Sequence, residues 1–140
     1  MSALNITIQT LLAEDDVTDV AADRIFPIFY PQAAGLPGIV VRLIAENDPD
    51  NLGGAWKRPE SRVSIECRAE GGRVDQLYAL AEAVINAMQD KTEYPIASCI
   101  ATIRKEGTDE SDSSEQVTAH GYPEVIRRII DFYVVWRRAP

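Results

Sequence analysis

The sequence predicts an α+β domain, with a mostly antiparallel sheet of four to five strands packed by one long helix and one or two shorter ones. Three observations lead there. Residues 62–69 alternate strictly, with Val63, Ile65, Cys67 and Ala69 set against Arg62, Ser64, Glu66 and Arg68, as in a strand with one face in and one face out. After Gly71-Gly72 the period turns helical, and Val74, Leu77, Tyr78, Ala81, Val84, Ile85 and Met88 form one stripe over about four turns. The order of pieces is helix, strands, helix, two strands. Residues 1–140 hold no internal repeat and no long linker, so one domain is expected.

In chain order, Leu4, Ile8, Leu11 and Leu12 make the stripe of a first helix, with Ser2 placed to cap it. Asp15-Asp16 opens a short second turn carrying Val17, Val20 and Ala21. Residues 25–31 follow with Pro27 and Pro31, which have no N–H to give a ladder, so an edge strand or an extended arm is expected. Gly35, Pro37 and Gly38 turn the chain into a strand over 39–46, where Arg42 and Glu46 share a face with Val40 and Ile44. Residues 47–60 are turn-rich. Helix 74–88 should be the main lid on the sheet, each larger apolar side chain contributing roughly 1.5–3 kcal/mol. Residues 94–105 and 124–137 read as two more strands, separated by a polar, acidic loop over 106–123.

The last strand is apolar on both faces over much of its length. Ile126, Ile130, Phe132, Val134 and Trp136 alternate with Val125, Ile129, Tyr133 and Val135, and Arg128 interrupts the first set. Two readings are open: a central strand covered on both sides by the long and first helices, or a strand that meets another subunit.

The composition, 46% apolar and 26% charged, is that of an ordinary globular chain. A net charge of −8 argues against broad nucleic-acid binding, which depends on neutralising phosphates. No apolar run is long enough to cross a bilayer, and the first residues lack the basic region of a secretory leader, so a cytoplasmic origin is the default. Cys67 and Cys99 sit in apolar stretches without metal-ligand spacing and are expected reduced and buried.

No catalytic, cofactor-binding or metal-ligating set emerges. His120 is the only histidine and lies in the acidic loop. The stretch NDPDNLGG places Asp48, Asp50 and Gly53 as an EF-hand would, but its fifth position is Leu52 and its twelfth Pro59, so a surface turn is the better reading. Gly71-Gly72 turns the chain, and no P-loop lysine follows.

Several stretches together are similar to the tail-completion or tail-terminator family of long-tailed bacteriophages and gene-transfer agents. They are DDVTDVAADRIFP closing the N-terminal helices, the arm with Pro31, Gln32, Leu36 and Pro37, the strand RVSIECRA, the helix VDQLYALAEAVINAM and the closing IIDFYVVWR. The resemblance covers nearly the whole chain, with R-I-F-P and L-P its more specific parts. It implies a structural virion protein without catalytic residues or cofactors. Such subunits form a ring, expected to be hexameric, that caps the tail tube and joins tail to head. The implied partners are other copies of itself, the tail-tube protein and a head-neck connector, with DNA passing through the channel unbound and no membrane involved. The site is the tail–head junction of the virion, assembled in the host bacterial cytoplasm.

The residues expected at interfaces are Arg24, Phe26, Pro27, Pro31 and Pro37 on the arm, Trp56 in the turn-rich loop, and Arg128, Tyr133, Trp136 and Arg137 on the last strand. Other classes stay open. One is another neck or head-completion protein. A second is a small-molecule-binding domain or enzyme with a site on loops 47–60 or 71–73. A third is a DNA-binding module using Arg62, Arg68, Arg127 and Arg128.

Overall fold

The computed structural model describes residues 2–31, 33–47, 60–112 and 125–139. Three helices, α1 (Ala3–Leu12), α2 (Asp15–Ala21) and α3 (Val74–Met88), pack on a six-stranded sheet. The strands are β1 (Ile25–Pro27), β2 (Gly38–Asn47), β3 (Glu60–Glu70), β4 (Lys91–Ile96), β5 (Cys99–Asp112) and β6 (Val125–Arg138), in the order β1-β2-β3-β6-β5-β4. Every pairing is antiparallel except β1 with β2, which is parallel. The α+β class holds; the sheet is mixed and has six strands rather than four to five.

The edge strand allowed at 25–31 forms, and the sixth strand has a local cause. Residues 25–27 pair with 39–41 before the prolines of the arm take over, which makes β1 a short edge strand. The expected strand 94–105 is two strands, because Ala97 and Ser98 both take positive φ, 49° and 66°, and reverse the chain. Two successive positive-φ residues are what a tight hairpin needs, but Asn-Gly or Asp-Gly normally announces it. At its far end β5 continues to Asp112, so the first part of the acidic stretch is paired with β6.

Ser2 caps α1, its hydroxyl accepting from the Asn5 N–H at 3.2 Å. The buried side of α1 is Ala3, Ile6, Thr7, Thr10 and Leu11, whereas Leu12 is exposed and Leu4 and Ile8 are only partly covered. The two threonines tolerate burial because their hydroxyls donate back to Ala3 O and Ile6 O, each at 2.8 Å. On α3 the buried stripe includes Leu80, Ala83 and Ala87, and the expected Val74 and Tyr78 face outward. Cys67 and Cys99 are buried free thiols, and burial pushes the Cys67 thiol up to about 12.

All three helices lie on one face of the sheet. A single core joins Ile6, Leu11, Val17, Leu80, Val84 and Met88 to the inward residues of β2, β3, β5 and β6. β6 is central, between β3 and β5, but α1 and α3 do not divide its two faces between them. The far face of the sheet carries no helix among the described residues.

Candidate interface on the open sheet face

Register fixes which side chains share the open face. Phe26, Val40, Glu66 and Ile129 form one row across β1, β2, β3 and β6. Gly38, Arg68 and Arg127 lie on one side of that row, with Arg42, Ser64 and Asp131 on the other. Farther along come Ala45, Arg62, Tyr133 and Arg104. The register of β2 shifts between Leu43 and Ala45, so Ala45 and not Ile44 pairs with Arg62.

Glu66 is the centre of this face. It is 1% exposed and takes three guanidiniums. Arg42 Nη1 and Arg68 Nη2 reach its Oε2 at 3.0 Å each, and Arg127 Nη1 reaches Oε1 at 2.7 Å. Burial alone would raise the Glu66 carboxyl. The Arg68 charge and the hydrogen bonds from Arg127 and Arg42 outweigh it and hold the group below its ordinary value. Among the described residues Glu66 is the one carboxylate in contact with these three arginines, so this group of four side chains is positive. Nearby, Arg62 joins Asp131 at 2.8 Å to Glu106 at 2.7 Å, and the Arg104 guanidinium lies 5.1 Å from the Tyr133 ring centroid. Arg137 pairs with Glu93 at 2.8 Å.

The arm before β2 closes one end of the face. Tyr30 meets the Phe26 ring edge to face at 5.1 Å and lies under Arg68, 5.3 Å from its ring centroid. Its hydroxyl donates to Gly35 O. A Cβ on Gly38 would collide with the Tyr30 ring and hydroxyl, so glycine is what lets the arm fold back. Burial raises the Tyr30 hydroxyl above its ordinary pKa, against the opposing charges of Arg24 and Arg68. Val40 is fully buried on this face, outside the helical core. Part of the arm therefore lies against its own chain. The side chains of Ile28 and Phe29 do not, each being 65% exposed, and Leu43 and Ile44 on β2 are exposed as well. Ile28 is tied to β2 by its N–H to Val41 O at 2.9 Å and by Arg42 Nε to its carbonyl at 3.0 Å.

The residues expected at interfaces separate into groups. Phe26, Tyr133 and Arg137 reach the open face. Arg24 fastens the arm, its Nε donating to Pro37 O at 2.7 Å, and Pro37 is itself buried. Pro27 is exposed and Pro31 half-buried. Arg128 and Trp136 lie on the helical side: Arg128 stands 4.7 Å from the Tyr78 ring centroid, and Trp136 packs against the core. Trp56, His120, the candidate calcium stretch 48–59 and residues 113–124 of the acidic loop lie outside the described residues. Glu66 was not expected as a centre, because alternation alone places it on a wet face. Only the register with β2 and β6 brings three arginines to it.

Among the described residues no group of three or more His, Cys, Asp or Glu side chains converges as a metal site, and no helix is long and apolar enough to cross a membrane. The chemistry the face can do is recognition by charge and stacking.

No family model and no curated protein matches the chain. Among solved structures, a chain of the virion of a native gene transfer agent (GTA) particle is similar, with a TM-score of 0.69. The likeness covers 96% of this chain and 94% of that one at 13% identity, and at that identity it is a likeness of fold.

Proposed function

We propose that the chain is a structural virion component, a tail terminator that caps the tail tube as a homo-oligomeric ring of about six copies and joins tail to head. The observation that carries this is the shared fold, over nearly the full length of both chains, with a protein of a gene transfer agent virion. A second feature supports it. A sheet clothed by helices on one side, with half-buried Ile129, Tyr133 and Val135 on the other, offers the broad face a ring subunit gives its neighbours. Exposed Ile28, Phe29, Leu43 and Ile44 would add an apolar rim for the tail tube or the neck. In this reading the chain binds and positions but does no catalysis, and its net charge of −8 lets DNA pass without sticking.

The test is deletion of the gene from its source phage or prophage, followed by negative-stain electron microscopy of the lysate. Overlong tail tubes beside unattached filled heads are the expected outcome. Normal tails beside leaking or tail-less heads would move the protein to the neck, and intact infectious particles would overturn the structural role altogether.

A further inference from the structure

The arginine cluster around Glu66 and the short helix α2 form a pair of opposites. On α2, Asp15, Asp16 and Asp19 are exposed, and Asp23 just beyond it is exposed as well. Among the described residues none of these four carboxylates has an ion pair. Val17 and Ala21, both fully buried, anchor the helix by its other side, so Asp15 and Asp19 point away from the core. Across the sheet, among the described residues, Arg42, Arg68 and Arg127 share the single carboxylate of Glu66, so this group of four side chains keeps an excess of positive charge in a chain whose total is −8.

The two surfaces cannot neutralise each other within one chain. α2 belongs to the helical layer, packed on the core with α3, and the cluster is on the opposite face of the sheet. Between copies they can. We propose that the Arg42–Arg68–Arg127 cluster receives α2 of a second copy of this chain, so that copies join head to tail. A contact between two different surfaces of identical chains either closes into a ring or runs on as a filament. The alternative, two open faces stacked on each other, would bring two positive clusters together. The inference rests on the ring reading and adds to it which surface meets which.

The test uses the full chain and follows both self-association by sedimentation velocity and occupancy of purified tails that lack the protein. Asp16→Lys/Asp19→Lys/Asp23→Lys should weaken assembly roughly a hundredfold, with the Asn triple variant intermediate. Both should melt within a few degrees of the wild type, since the substituted side chains are exposed. Arg42→Glu alone should also weaken assembly. Combined with the lysine triple it should recover roughly tenfold, because Arg42→Glu brings the cluster's net charge to zero and so removes its repulsion of the lysines. Wild-type assembly should loosen with added salt, whereas that of the lysine variant should not.

A wild-type chain that neither self-associates nor occupies tail ends overturns the ring reading and this contact with it. Wild-type assembly matched by the lysine variant overturns the contact alone. Salt-sensitive capture of random-sequence duplex DNA, lost in Arg42→Glu, also overturns it and gives the cluster to phosphates instead.

Discussion

Strand β3 buries side chains on both of its faces, and for opposite reasons. Toward the helices, Val63, Ile65, Cys67 and Ala69 have no exposure at all, and packing alone accounts for them. On the far side Glu66 is buried almost as deeply, yet among the described residues no apolar layer covers that face; the arginines of β2, β3 and β6 surround the carboxylate. The first face makes the fold. The second is costly to desolvate and adds little by itself, since buried ion pairs often do no better than apolar replacements. Such a face is better understood as a surface kept charged for another molecule.

If that contrast is right, substitutions on the two faces should separate folding from assembly. Phe132→Ala on the helical face should cost about 3–5 kcal/mol in urea unfolding, because the ring is fully buried and leaves a cavity. Assembly would then fail only to the extent that folding does. Glu66→Ala should cost about 3 kcal/mol, the low end for a broken buried pair, since its arginines are partly exposed and can rehydrate.

The same carboxylate predicts a pH dependence. Its folded pKa is depressed, so its stabilising contribution is complete above the ordinary value of 4.5 and is lost as pH falls through the folded value below it. Glu66→Gln should flatten that acid limb in a series of melts from pH 6 to pH 3. An unchanged limb would mean that the three arginines do not hold the group.

Smaller effects sharpen the boundary of the open face. Gly38→Ala should cost about 1–3 kcal/mol by driving Tyr30 off β2. The cost should shrink in a Tyr30→Ala background, which a double-mutant cycle measures. Arg137→Ala removes a largely exposed pair with Glu93 and should change stability by at most about 1 kcal/mol. A larger loss in the capping of tails would place Arg137 at a contact between subunits.

How much of this was legible in the sequence depended on whether the signal was local. Alternation located β3, and the helical stripe located α3, because both periods repeat within one segment. The prolines left residues 25–31 open as an edge strand or an extended arm without deciding between them, and the hairpin at Ala97-Ser98 was hidden for want of local marks. Three paired residues are too few to show a period, and Ala-Ser is not a turn signature. The two-sided apolar pattern of β6 showed a strand without a plainly polar face, but it could not say that Arg128 and Trp136 turn toward the helices while Tyr133 and Arg137 turn away. The Glu66 cluster depends on partners 24 and 61 residues distant, so no window along the chain contains it.

The most direct test of the central claim, that the open face is the assembling face, is hydroxyl-radical footprinting of the chain free and on tails. Tyr133 on the open face should become protected on assembly, while Tyr78 on α3 keeps its free-state reactivity. Equal labelling of Tyr133 in both states, or protection of Tyr78 alone, would contradict the account and take the open face out of the contact.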